Sequence, residues 1–125
     1  MMKTSIASFA TLLLTTVSSS AESFPAEVEM PAEKDLQSYF ACSEAATRRP
    51  LTFDEASACA AAFQRIKLSF VPGVGPSNYN ELGPVARSEV NRIGYQGYLS
   101  WSEKHALTVE TMKAKARTDL VLTVD

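Results

Sequence analysis

The sequence predicts a small all-α domain: a helical hairpin stapled by one disulfide, packed with one or two further helices and flanked by flexible termini. Three observations predict it. Apolar residues recur at steps of three and four over 31–47 and again over 52–70. Proline and glycine punctuate the chain between such runs, at Pro50, at Pro72-Gly73 and at Gly83-Pro84. The two cysteines, Cys42 and Cys59, stand eight and nine residues either side of Pro50, and so at nearly equal height in a hairpin bent there.

The chain has 125 residues, 12 basic and 14 acidic, for a formal charge of −2, and that length suits one domain. A charged fraction of 21% with a hydrophobic fraction of 46% is that of a globular chain, not of a disordered one. No basic excess points to nucleic acid. One histidine and two cysteines exclude most all-protein zinc sites and any disulfide-dense scaffold.

Residues 1–21 read as a secretory signal peptide. Lys3 supplies the positive start, Ile6 to Val17 is apolar and uncharged, and Ser19-Ser20-Ala21 places small residues before a cut after Ala21. Twelve apolar residues fall short of the ~20 that a spanning helix needs, which argues against a retained anchor. The expected mature chain begins at Glu22, is secreted or periplasmic, and keeps no stable membrane anchor after processing.

Residues 22–30 form an acidic arm, read as a mobile terminus in preference to a docking arm. The helical domain is expected over 31–117. Its first helix runs from about Pro31 to about Thr47, with Leu36, Tyr39, Phe40 and Ser43 on one face and Cys42 beside it. Pro31 suits a first helical turn, Arg48 and Arg49 suit a helix C-terminus, and Pro50 turns the chain.

The second helix carries the clearest local signal. Thr52-Phe53-Asp54-Glu55 fits a capping box, in which a hydroxyl and a carboxylate three residues apart each bond the other's free backbone N–H. Ala56, Cys59, Ala60, Phe63, Ile66, Lys67 and Phe70 then make the inner stripe. Lys67 is its one charged member.

Residues 71–83 read as irregular, with a short helical turn near Asn80–Leu82. Gly73-Val74-Gly75 lacks both the following helix and the lysine of a phosphate-binding loop. The third helix starts at Pro84 with a stripe of Ala86, Val90, Ile93, Gly94, Gly97 and Trp101, whose two glycines let another backbone or ring come near; a break at Gly94 is the alternative. Residues 103–117 read as a polar, loosely held fourth helix or a continuation of the third. Residues 118–125 form a tail in which Leu120 to Val124 is strand-like.

Exported cysteines meet an oxidising compartment, so Cys42 and Cys59 are expected to be bonded. A redox role fits less well, since there is no Cys-x-x-Cys and no helix N-terminus beside either sulfur. His105 has no partner at ligand spacing, no nucleophile motif accompanies it, and Glu81, Glu89, Glu103 and Glu110 are too dispersed for a metal cage. No cofactor is implied.

The candidate binding residues are Tyr95, Tyr98 and Trp101 in Gly94-Tyr95-Gln96-Gly97-Tyr98-Leu99-Ser100-Trp101, either as an aromatic platform or as core packing. The function expected is non-enzymatic binding of a protein or envelope component. The alternatives are an apolar-ligand carrier with a cleft lined by Phe63, Phe70, Tyr95 and Trp101, and a hydrolase built around His105.

Overall fold

The computed structural model describes residues 31–122. The segments expected to be a signal peptide (1–21) and an acidic arm (22–30), and the last three residues, lie outside them. The order is α1 (Glu33–Ala46), α2 (Phe53–Ser69), α3 (Pro76–Glu81), α4 (Pro84–Lys104) and α5 (Ala106–Leu122), with no strand among the described residues. The all-α class and the stapled hairpin stand as read from the sequence.

α1 lies between α2 and α5, and α2 lies between α1 and α4; α4 and α5 touch little. Leu36 and Phe40 of α1, Ile66 of α2, Trp101 of α4, and Val109 and Ala116 of α5 share one core. Phe40 and Ile66 are 1% and 0% exposed, and full burial of such a side chain is worth roughly 1.5–3 kcal/mol. Cys42 and Cys59 are bonded, with Cα atoms 5.8 Å apart, which ties α1 to α2 as their heights predict.

α1 starts after an Ala32 cap, so Pro31 precedes the helix and does not sit in its first turn. The capping box of α2 is complete: the Glu55 N–H donates to the Thr52 hydroxyl at 3.2 Å, and the Thr52 N–H donates to the Glu55 carboxylate at 3.3 Å. Arg49 does not cap α1. Its guanidinium donates both ways to Glu55, at 3.1 and 2.8 Å, and so braces the turn from the α2 side.

The inner stripe of α2 is rotated from the sequence reading. Ala62, Ile66 and Leu68 are buried, whereas Ala56 and Ala60 face solvent. Side chains too small to claim a face by their own hydrophobicity follow whichever neighbour packs closest.

The 71–83 segment contains a six-residue helix where a looser turn was expected. Pro76 opens it at the first position, where a missing N–H costs nothing. Arg87 closes it by donating to the carbonyls of Tyr79, at 3.3 Å, and Asn80, at 2.6 Å.

α4 starts at Pro84 as predicted and runs unbroken through Gly94. It turns into α5 at a single residue, His105. α5 is packed and continues through Thr118–Leu122, so the strand-like reading fails for positions 120–122, while 123 and 124 lie outside the described residues. Val109, Met112 and Ala116 form a seam at steps of three and four against the core, and Arg117 donates to Glu44 at 3.2 Å. Aliphatic β-propensity is a weak preference that a packed helix overrides.

Candidate functional site

Four aromatic side chains from three helices meet on one side of the molecule. Tyr39 of α1 stacks on Phe63 of α2, ring centres 4.6 Å apart. Tyr98 of α4 stands edge-on to both, at 6.0 Å from Tyr39 and 5.3 Å from Phe63. Tyr95, one turn earlier, meets the Phe63 ring edge-on at 6.4 Å. These are the offset and perpendicular arrangements that ring quadrupoles favour.

Helix registry explains the convergence. Tyr39 is three residues before Cys42, and Phe63 is four after Cys59, so the disulfide sets the two rings side by side. Gly94 and Gly97 then bring α4 close to α2. A Cβ at Gly94 would fall 2.6 Å from the Lys67 carbonyl oxygen, and one at Gly97 would fall 2.5 Å from the Phe70 Cβ. The neighbour the glycines admit is therefore one backbone and one ring.

The three predicted platform residues separate. Trp101 is 6% exposed and belongs to the core. Tyr98 is half-buried and packs against that core. Tyr95 is 48% exposed, and Leu99, one turn on, is 47% exposed. The exposed side of this cluster is thus Tyr95, with Leu99 one turn on, and Tyr39, Phe63 and Tyr98 are half-buried.

The phenols sense one another. Burial, and then the negative charges that Tyr98 and Tyr95 would carry, push the Tyr39 hydroxyl above its ordinary range. Burial does the same at Tyr98, opposed by a hydrogen bond with Ser102 and aided by Tyr95. Tyr39 and Tyr98 are thus neutral hydrogen-bonding tips on apolar bodies at physiological pH.

At the edge of this surface lies a feature the sequence reading passed over. Lys67 sits with its Nζ 5.2 Å from the centre of the Phe63 ring and donates to Asn91 Oδ1 at 3.1 Å. Asn91 in turn donates from Nδ2 to the Tyr79 hydroxyl at 2.8 Å. Burial lowers the Lys67 pKa. The signal was present: a lysine stood in an otherwise apolar stripe.

The remaining candidates are placed plainly. Of the four residues expected to line a carrier cleft, Phe70 lies against Gly97 and Trp101 is in the core, whereas Phe63 and Tyr95 belong to the aromatic cluster. His105 is exposed, its ring 5.3 Å from that of Trp101, and no acid or hydroxyl among the described residues is bonded to it. Gly73 adopts a positive φ of 77° and ends a turn; Asn78 donates to its carbonyl at 3.1 Å. No group of three metal-ligating side chains occurs among the described residues.

An open groove of about 520 Å³ runs between α1 and α5. Four of its polar side chains pair with one another, Gln37 with Glu33 at 3.0 Å and Lys115 with Asp119 at 2.9 Å. No helix among the described residues is long and apolar enough to cross a membrane. No family model matches the chain, and no curated protein and no solved structure is significantly similar to it.

Proposed function

We propose that this chain is an exported, non-enzymatic binding protein that captures a protein or envelope component on the aromatic face around Tyr95 and Leu99. The observation that carries the reading is the exposure of those two side chains above a floor of Tyr39, Phe63 and Tyr98. Rings held by neighbouring rings lose little freedom on binding, and tyrosines offer both apolar area and a hydrogen-bonding tip. Export is supported by the signal-type leader at 1–21 and by the disulfide.

The test is affinity capture from the organism's own envelope and culture fluid, with the mature chain as bait. A specific partner recovered by the wild type and lost with Tyr95→Ser, at unchanged melting temperature, is the expected result. A partner retained by Tyr95→Ser and by Leu99→Ser would remove the aromatic face from the function.

A further inference from the structure

We infer that Lys67 is the anion-recognising end of the aromatic face, and that the face takes a protein segment carrying an Asp or Glu beside an aromatic or large aliphatic side chain. This rests on that face being the binding surface.

The argument begins with charge matching. Arg49, Arg65, Arg92, Lys115 and Arg117 each pair with a carboxylate. Lys67 is partly buried and pairs with no carboxylate among the described residues; its hydrogen-bond partner is the uncharged Asn91. Two other partly buried cations are accounted for differently. Arg87 spends its guanidinium on two carbonyls, and Lys113 lies 6.0 Å from the ring of the buried Phe40, with no exposed ring beside it. Lys67 alone among these adjoins the aromatic floor, through the Phe63 ring that Tyr95 also meets.

The ammonium is held ready. An ammonium has three N–H donors; Asn91 takes one, which leaves two for a carboxylate. The bond from Asn91 Nδ2 to Tyr79 fixes the amide so that its oxygen faces Lys67. The position of Lys67 in the last turn of α2 offsets its charge in part, but a helix end supplies no discrete anion. An acidic group at Lys67 would return part of the hydration the ammonium lost, while its apolar neighbour covers Tyr95 and Leu99.

The experiment compares acetyl-Ser-Glu-Phe-Ser-amide with its Gln counterpart, followed by amide NMR on the mature, disulfide-bonded chain. The Glu peptide is expected to shift residues 63–67 and 91–99 and to bind about threefold to fivefold more tightly than the Gln peptide, a preference that shrinks in about 0.5 M salt. Lys67→Met should bring the ratio to one. Asn91→Asp should do the same while keeping the lysine, because it supplies the missing carboxylate within the fold. Equal binding of the two peptides would overturn the anion inference and leave the aromatic face as a binding surface. Binding of neither at about 10 mM, where even millimolar affinities register, would overturn it as well. So would self-association abolished by Tyr95→Ser, which would assign the face to a second copy of the chain.

Discussion

Gly94 of α4 lies against the backbone of Lys67 in α2, so closely that a methyl group at position 94 would stand 2.6 Å from the Lys67 carbonyl oxygen and 2.9 Å from its Cβ. That contact sets the separation of two helices, and with it the spacing of the rings they carry.

Gly94→Ala is therefore expected to destabilise the fold. Alanine gains about 1 kcal/mol in intrinsic helix preference over glycine, whereas forcing a backbone apart in a packed interface costs about 1–3 kcal/mol. The net loss should be visible as a lower urea midpoint. An increase would show that α2 and α4 do not approach as described.

The Cys42–Cys59 bond closes a loop with a sequence separation of 17. Replacing both residues with serine should cost roughly 3 kcal/mol, the chain-entropy value for a loop of that size. Alkylation of the unreduced chain should label no thiol. Two labelled thiols would remove the staple.

Glu55 is held down to about 2 by hydrogen bonds from Arg49 first, and then by the backbone N–H and the hydroxyl of Thr52. A carboxyl depressed in the folded state adds stability above its unfolded pKa and loses it as pH falls through the folded one. The wild-type advantage over Glu55→Gln should hold above the ordinary value of 4.5 and fade between there and about 2. Thermal melts of both proteins from neutral to strongly acidic pH measure it. The pair is exposed, so the difference is expected to be small.

Trp101 and Tyr95 lie six residues apart in one helix and should respond oppositely to truncation. Trp101→Ala empties a core position, for a loss of about 3–5 kcal/mol. Tyr95→Ala, at a site 48% exposed, should cost far less, because much of its ring never left water. Comparable losses in chemical denaturation would show that Tyr95 is structural and not presented to a partner.

At high pH the order of events should follow the half-buried phenols. Tyr39 and Tyr98 are raised above the ordinary 10.0, burial being the largest cause in each. A raised folded pKa means that stability is present below 10 and declines as pH climbs from there. Ultraviolet titration of Tyr39→Phe and Tyr98→Phe should remove the late-ionising fraction; a single ordinary transition in the wild type would count against the cluster.

Local chemistry determined much of this protein from the sequence alone. Thr52 and Glu55 announced a helix start, Pro84 another, Pro50 a bend, and Cys42 and Cys59 their own pairing, because each acts through neighbours a few residues away or through helical rise. A close approach to α4 was legible in Gly94 and Gly97, though not that α2 makes it. Tertiary packing decided the rest. It turned Ala62 inward and Ala60 outward, carried α5 through the aliphatic residues up to Leu122, sent Arg49 to Glu55, and divided one aromatic run into a buried Trp101 and an exposed Tyr95. It also left Lys67 beside the Phe63 ring and an amide, with no carboxylate paired to it among the described residues. Periodicity says which residues share a helix face, but which part of that face is covered depends on where distant helices come to lie, and that is a property of the assembled core.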